Sequence, residues 1–258
     1  MKLQVTFLGT GTSHGIPMVA CDCPVCTSSD PRNNRNRASV IVRNGEQTLL
    51  IDTTPELRLQ LIRYNVRRVD AIAFTHAHAD HIFGLDDIRR LNEINDVEIP
   101  CYGHRQTMDS IHKAFRYIFV PTQAGGGKPR LKLNVVDGPF EAAGMTITPI
   151  PVWHGKVKVL GYRIGDFAYV TDVSRIPPES ADLLRGIDTL ALGVLRYTPH
   201  PTHFNMEQGL AQLAELKPRR AFITHIAHEL EHEATSAILP PGIEMAYDGM
   251  VLEVGGAE

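Results

Sequence analysis

Three histidines and one aspartate lie within six residues of one another, at His76, His78, Asp80 and His81. They follow an apolar run typical of a strand, and in extended backbone residues two apart point to the same side. His76 and His78 can therefore reach one cation, while Asp80 and His81, where the chain bends into a helix, can face a second. These groups repel one another when protonated and are costly to bury unpaired. The spacing therefore favours a divalent metal site over a merely polar loop.

Two metal ions need more ligands than this segment supplies. Three further candidates share one position, just past an apolar strand: His154, Asp172 and His225. Ligands at strand ends converge on one edge of a sheet, and the two oxygens of Asp172 suit it to bridge two cations. Taken singly, His154 and His225 would be ordinary surface or capping residues, but the repeated position favours ligands.

A second group of candidate ligands is the segment CDCPVC, which contains three of the four cysteines: Cys21, Cys23 and Cys26. Neighbouring cysteines close only tiny loops, so they make a poor disulfide framework. The pattern CPVC also lacks the βαβ context of a thioredoxin-like redox motif. Structural zinc is favoured over redox or inert thiols, and it requires a fourth ligand. Cys101 is available by count, but its segment VEIPCYGH is typical of a core strand, where a buried free thiol is common.

The composition is that of an ordinary soluble globular protein. With 258 residues, of which 43% are hydrophobic and 21% charged, the chain can bury a substantial core, and we expect one domain over 1–258. The net charge of -3 shows no basic footprint for a long nucleic acid. No apolar run suits a signal peptide or a membrane span, so we expect a cytoplasmic protein with reduced thiols and no membrane partner. A homodimer stays open.

The elements that must position these residues are short β-branched strands and a few helices. In the first part of the chain, Asn44-Gly45 predicts a hairpin turn, and a helix after Pro55 places Leu57, Leu61 and Ile62 on one face. A second helix is predicted from Asp80 through GLDDIRRLNEI and a third over QTMDSIHKAFRYI. The strands predicted here are LQVTFLG, ASVIVRNG, QTLLID and VDAIAFTH.

The second half repeats this alternation and ends in a predicted hairpin, IEMAYDGMVLEV, that turns at Asp248-Gly249. Strand-rich halves with a few helices predict two sheets packed face to face, with the helices outside. The glycine-rich segment 121–130 is interpreted as a surface loop in preference to a substrate lid. Further strands are predicted at LKLNVV, MTITPIPV, LGYRIG, FAYVTD, DTLALGVL and RAFITH, and helices at PPESADLLRG and NMEQGLAQLAEL.

Over essentially its whole length the sequence resembles the metallo-β-lactamase-fold hydrolases. THAHADH matches the HxHxDH motif of that family, LLIDT precedes it, and His154, Asp172 and His225 follow in the order of the later ligands. The narrower group typified by the phosphodiesterase PhnP of the carbon-phosphorus lyase pathway is similar in five further segments: FLGTGTSHGIP, CDCPVC, HFNMEQ, THIAH and AYDGM.

The resemblance implies an α/β fold, an αββα sandwich of two mixed β-sheets with external helices, and two divalent metal ions, Zn or Mn, at the edge between the sheets. Asp52 would orient ligands through hydrogen bonds, although it could simply end a strand. Asp80 and Asp172 would be essential for catalysis. By resemblance, His76, His78 and His154 would hold one metal, and Asp80, His81 and His225 the other, with Asp172 bridging. A structural zinc would be held by Cys21, Cys23, Cys26 and His228.

The activity implied is hydrolysis of small phosphodiesters, cyclic ones included, by in-line attack of a hydroxide that bridges the metals, so no side-chain nucleophile is needed. His203 would contact the phosphate and help the leaving group depart, with His200 a weaker substitute. The alternative for His203 is a residue that flanks the N-terminus of the following helix, for which HFN is reasonable capping chemistry.

Four alternatives stay open, three of them enzymatic. A tRNA 3′-end endonuclease shares the motif but needs a longer basic, glycine-rich arm than AGGGKPR. A thioester or lactone hydrolase could use the same metal site. Diiron redox chemistry normally has glutamate where His78 stands, and the last alternative is a non-catalytic metal-binding module.

Overall fold

The computed structural model describes residues 2–121 and 127–255. Within these ranges the chain forms two seven-stranded sheets. The strands of the first sheet are β1 (Leu3–Gly9), β2 (Ser39–Asn44), β3 (Gln47–Ile51), β4 (Ala71–Ala73), β5 (Ile99–Gly103), β6 (Leu131–Val135) and β14 (Val251–Val254). Those of the second are β7 (Phe140–Ala142), β8 (Met145–His154), β9 (Val157–Ile164), β10 (Phe167–Val170), β11 (Thr189–Gly193), β12 (Arg220–Thr224) and β13 (Ile243–Met245).

Each sheet has an antiparallel half and a parallel half. The first has the order β14-β1-β2-β3-β4-β5-β6, antiparallel as far as β3 and parallel from there to β6. The second has the order β13-β12-β11-β10-β9-β8-β7, antiparallel from β7 to β10 and parallel from β10 to β13. Because parallel strands end at the same edge of their sheet, residues that follow them are brought together.

The helices cover the outer faces of the two sheets. One apolar cluster fills the space between the sheets, with Phe7 of β1 packed near Phe222 of β12. Another apolar cluster lies between the second sheet and its helices, and a further cluster lies between the first sheet and its helices. The predicted αββα sandwich is therefore confirmed. The helices are α1 (Leu57–Arg63), α2 (Ala79–Ile82), α3 (Arg89–Asn95), α4 (Arg105–Ala114), α5 (Arg116–Phe119), α6 (Pro178–Leu184), α7 (Met206–Leu216) and α8 (His232–Ser236), with 3₁₀ turns at Pro31–Asn33 and Leu85–Ile88.

The predicted C-terminal hairpin is wrong. Strand β13 pairs with β12 in the second sheet, whereas β14 pairs with β1 in the first, so the chain crosses between the sheets at Asp248. The Asp248 carboxylate accepts hydrogen bonds from the Asn36 backbone N–H at 2.7 Å and from Thr10 Oγ1 at 2.8 Å. These bonds to the N-terminal loop stabilise a crossing that a local pattern does not distinguish from a hairpin.

Three local predictions also differ from the structure. Ile62 is 65% exposed, and Gln60 is buried in its place because its side chain donates to the Arg37 carbonyl and accepts from Thr54. The predicted long helix from Asp80 is divided into α2, a 3₁₀ turn and α3. It breaks at Gly84, where a Cβ would stand 1.9 Å from the Thr54 carbonyl oxygen.

The turn between β2 and β3 is shifted by one residue from the predicted Asn44-Gly45. Asn44 still pairs with Gln47 in the ladder, so the two loop residues are Gly45, with φ +60°, and Glu46. Glycine at the first loop position with positive φ fits a type II′ turn.

The predicted surface loop at 121–130 lies partly outside the described residues, which omit 122–126. In the described ranges, every helix is too short or too polar to cross a membrane.

Candidate metal centre

Three residues with left-handed backbone stand just past strands of the two sheets. Asp52 follows β3 with φ +64°, Asp172 lies two residues past β10 with φ +51°, and His225 follows β12 with φ +59°. This conformation costs of order 1–3 kcal/mol for residues other than glycine and is concentrated at functional sites. The turns bring together the strand-end residues that the sequence singled out.

The first cluster of ligand atoms contains His76, His78 and His154, whose ring nitrogens lie within 4.8 Å of one another. His76 Nε2 is 2.8 Å from His78 Nδ1. His154, the last residue of β8, donates its Nδ1–H to the Thr202 carbonyl at 2.7 Å, which leaves the lone pair of Nε2 available. Burial lowers the pKa of His76 well below its usual value and also lowers the pKa of His78. Neutral imidazole is the form that binds metal.

The second cluster contains Asp80, His81, Asp172 and His225. His81 Nε2 lies 3.2 Å from Asp80 Oδ2 and 3.3 Å from Asp172 Oδ2. His225 Nδ1 is also 3.3 Å from Asp172 Oδ2, so Asp172 faces both imidazoles. In a tetrahedral zinc site with bonds of 2.0–2.1 Å, ligand atoms stand about 3.4 Å apart. These separations fit a shared cation.

Two nitrogens of the second cluster lack the partner that burial requires. His81 Nε2 and His225 Nδ1 are buried and make no hydrogen bond within the described part of the chain. Burial alone would lower the pKa of His81, but Asp172, Asp52 and Asp80 hold it well above its usual value. The carboxylates thus favour a positive charge at this place. A divalent cation would supply that charge and satisfy both nitrogens, so the residues fit a metal.

Asp52 is completely buried next to the second cluster. His81 donates Nδ1–H to Asp52 Oδ2 at 2.7 Å, which leaves Nε2 facing Asp80 and Asp172. Asp52 also accepts hydrogen bonds from Thr75, at 2.9 Å from its backbone N–H and at 2.8 Å from its hydroxyl. Asp52 therefore ends its strand and also fixes an imidazole, which combines the two interpretations of this residue.

Sequence reasoning missed the residues that hold these side chains. Thr75 binds Asp52, Thr171 Oγ1 donates to Asp172 Oδ2 at 2.8 Å, and the Thr202 carbonyl holds His154. A threonine directly precedes His76, Asp172 and His225, and this repeated pair was a detectable signal. The Thr202 carbonyl had no such signal, since any residue has a carbonyl.

His203 lies beside both clusters. Its ring centroid is 4.5 Å from that of His154 and 5.0 Å from that of His225, and its Nδ1 is 4.0 Å from Asp172 Oδ1. Burial and His225 lower the pKa of His203 to about 3. His203 also flanks the N-terminus of helix α7, and in the segment HFN the capping side chain is that of Asn205, which accepts from the Gln208 N–H at 3.0 Å.

His200 lies next to His203. Its ring centroid is 5.0 Å from that of His203, and its Nδ1 accepts from the Thr202 N–H at 3.3 Å.

The cysteine cluster, Cys21, Cys23, Cys26 and His228, is assembled as the motif and the resemblance suggest. The three Sγ atoms lie 3.3, 3.4 and 3.5 Å from His228 Nδ1. Tetrahedral zinc with bonds of 2.3 Å to sulfur and 2.0–2.1 Å to nitrogen would hold such atoms about 3.5 Å apart. Cys101 takes no part, because it is completely buried in β5, where its thiol lies 3.8 Å from the Ile99 carbonyl.

A cleft of about 300 Å³ lies between His203, which stands beside the metal centre, and His228 of the cysteine cluster. It extends from His203 to His228 and is lined by the turn at 12–15, by Arg196 and by Glu229. A larger groove of about 580 Å³ between α1 and α3 contains none of the clustered histidines or cysteines. The smaller cleft is therefore the one next to the candidate chemistry, and its volume suits a small molecule.

One family profile and several known structures are similar to this chain. A profile described as a beta-lactamase superfamily domain matches residues 47–226. The crystal structure of a new diphosphatase from the PhnP family is 42% identical, with a TM-score of 0.93 over 98% of both chains. Zinc-bound PqqB from Methylobacterium extorquens is 20% identical, with a TM-score of 0.79 over 97% of this chain and 100% of that one, and supports the fold alone.

A curated relative from Porphyromonas gingivalis, an octanoyltransferase, is 35% identical over 253 residues. The match covers 96% of this chain and 51% of that protein, so the chain spans about half the length of this relative.

Proposed function

Because the chain belongs to the beta-lactamase superfamily and is a hydrolase of the metallo-β-lactamase fold, we propose that it is a dinuclear metal-dependent phosphodiesterase acting on small phosphodiesters. The observation that carries the proposal is the position of Asp172, whose carboxylate lies within 4.8 Å of ligand nitrogens of His76 and His81 and also of His154 and His203. Nearby, buried nitrogens of His81 and His225 make no hydrogen bond to any of the described residues. The diphosphatase that is 42% identical supports phosphorus as the atom attacked.

Each cluster would hold one divalent ion, zinc or manganese, with Asp172 between them. When bound, two such ions act as Lewis acids toward phosphoryl oxygens and make water nucleophilic near neutral pH. The carboxylate of Asp52 and the Thr202 carbonyl fix the tautomers of His81 and His154, so that the Nε2 lone pair of each ring faces its cluster. The proposed ligands are His76, His78 and His154 in the first cluster and Asp80, His81 and His225 in the second.

His203 is proposed to act on the substrate. With a pKa of about 3 its imidazole is neutral at pH 7 and can donate one N–H hydrogen bond to a phosphoryl oxygen. An anionic phosphate in the cleft raises that pKa, which allows the ring to carry a proton to the leaving oxygen. His200, 5.0 Å away between ring centroids, is the weaker candidate for this role.

We expect His203→Gln to lower kcat by ~10²-fold for an alkyl phosphodiester, the low end of the usual contribution of a general acid. The loss should be much smaller for bis(p-nitrophenyl) phosphate, because nitrophenolate leaves without a proton. The measurement is kcat for both substrates. His112→Gln is the matched control, since His112 is exposed and stacks on Phe119. Equal losses for the two leaving groups would contradict the proton-donor role.

Removal and return of metal tests the activity itself. We expect the purified protein to contain about three metal ions per chain, two in the ligand clusters and one among the cysteines. Chelation of the two ions in the histidine and aspartate clusters should abolish cleavage of bis(p-nitrophenyl) phosphate. Added zinc or manganese should restore the cleavage. Cleavage that survives chelation unchanged would refute the proposal.

A second candidate is hydrolysis of a substituted diphosphate, favoured by the description of the relative that is 42% identical. The phosphorus attacked in such a molecule also carries two substituted oxygens, so the same residues would serve. The substrate panel should therefore contain a phosphodiester and a disubstituted diphosphate. An octanoyl thioester tests the acyl chemistry suggested by the curated relative. A pre-tRNA tests the tRNA endonuclease alternative, which the charge of -3 and the small cleft disfavour.

A further inference from the structure

We infer that Glu229 and Arg196 form a positioning pair that connects the cysteine cluster to the metal centre, through a loop whose Thr202 carbonyl orients His154. The inference rests on the proposed function only in taking His154 as a metal ligand. Neither residue belongs to a ligand cluster, and both line the cleft between them.

The first link is between the cysteine cluster and Glu229. Glu229 directly follows His228, so a metal that fixes His228 also fixes the backbone of Glu229. Its carboxylate accepts a hydrogen bond from Thr198 Oγ1 at 3.3 Å and lies 3.6 Å from the Arg196 guanidinium. The side chains of this pair are 31% and 35% exposed, so the pair is screened less than one on open surface.

The second link is between Arg196 and the loop at 197–203. Arg196 Nε donates to the Thr198 carbonyl at 3.2 Å and Nη2 donates to the Pro199 carbonyl at 3.1 Å. The loop contains Pro199 and Pro201, which have no N–H to donate. The guanidinium therefore supplies hydrogen bonds that the loop cannot make by itself, and Glu229 holds the guanidinium in place.

The third link is between the loop and His154. The Thr202 carbonyl accepts the Nδ1–H of His154 at 2.7 Å. The Thr202 methyl group packs so closely on Gly155 that a Cβ at Gly155 would stand 2.8 Å from it. A shift of the loop would therefore rotate the His154 ring or remove its only hydrogen bond among the described residues. Loss of such an orienting partner typically weakens metal binding by about 10–100-fold.

Metal affinity of the purified full chain tests the inference without reference to turnover. Stripped protein is titrated with zinc in competition with a chromophoric chelator, for the wild type, Glu229→Ala and Glu229→Gln. We expect Glu229→Ala to weaken one of the two ions of the metal centre at least 10-fold, a loss typical of removing an orienting partner. Glu229→Gln should lose less, because an amide oxygen can still accept from Thr198.

The control is Glu215→Ala, which removes an exposed carboxylate on α7. Melting temperatures of the metal-free proteins separate positioning from general destabilisation, and we expect them to agree for wild type and Glu229→Ala. Equal zinc affinity in the wild type, Glu229→Ala and Glu215→Ala would overturn the inference and leave the proposed function standing. A wild type that binds no zinc beyond the cysteine cluster would overturn both.

Discussion

Asp172→Asn should lower turnover of bis(p-nitrophenyl) phosphate by about 10³-fold, equivalent to ~4 kcal/mol of transition-state stabilisation, while the fold is retained. The Asp172 carboxylate faces His81 and His225 at 3.3 Å each, and its second oxygen lies toward His203. An amide has one acceptor oxygen and no charge, so it cannot serve two cations. Both histidines hold the pKa of Asp172 well below its usual value against the effect of burial, so the ionised form is favoured.

Asparagine is a better probe here than alanine because of the backbone. Asp172 has φ +51°, a conformation that asparagine adopts readily, whereas alanine would add backbone strain to the loss of the carboxylate. Thr171 Oγ1 can still donate to the amide oxygen. The loss of activity can then be assigned to the missing charge.

The control must carry the same chemical change at an exposed position away from the metal centre. Asp166→Asn in the exposed turn between β9 and β10 provides it. Turnover, metal content and the circular dichroism melting curve should be measured for both variants. Asp172→Asn with normal turnover and normal metal content would refute the assignment of this residue. The same defect in Asp80→Ala would support a shared role, since Asp80 Oδ2 lies 3.2 Å from His81 Nε2.

The side chains of the candidate site were predictable from sequence because each stands in a local pattern. His76 and His78 alternate in extended backbone, and Asp172 and His225 follow apolar strands. The contacts that hold these side chains in place were harder to predict from the sequence. The Thr202 carbonyl reaches His154 across 48 positions of the sequence, and the path of the intervening loop has no residue signature.

The fold was predictable in its layers but not in every connection. The strands around Asp248 were located correctly, yet their assignment to different sheets depends on pairing with β1 and β12, remote in sequence. In α1 the apolar pattern placed Ile62 in the core instead of Gln60. A helix of seven residues offers only two turns of periodicity, and the hydrogen bonds that allow Gln60 to be buried arise from tertiary structure.

Cys23→Ser should remove one zinc ion per chain and lower the melting temperature by about 10 °C, as expected for a loss of ~3 kcal/mol in a chain of this size. The Sγ atoms of the three cysteines lie 3.3–3.5 Å from His228 Nδ1, a geometry that zinc would stabilise. Without the ion, the segment from Cys21 to Cys26 loses its metal link to His228, in the segment after β12.

In Cys23→Ser the loss of turnover should be small beside the loss of thermal stability. The segment that carries His225 keeps two backbone hydrogen bonds to the loop that follows β1, from the Thr12 N–H to the Ile226 carbonyl at 3.0 Å and from the Ile226 N–H to the Thr10 carbonyl at 2.9 Å. The buried guanidinium of Arg35 adds a hydrogen bond to Thr10 Oγ1 at 2.8 Å. These contacts hold His225 near its place, so the effect on turnover should pass mainly through Glu229 and the 197–203 loop.

The control for the thiol cluster is Cys101→Ser, which makes the same chemical change in the core strand β5. It should lower the melting temperature because a hydroxyl is buried, yet retain the full zinc content. Zinc per chain therefore distinguishes the two variants even when both are less stable. If Cys23→Ser retained its third metal ion and melted with the wild type, the cysteines would not be ligands, and the connection from this cluster to Glu229 would have no metal to maintain it.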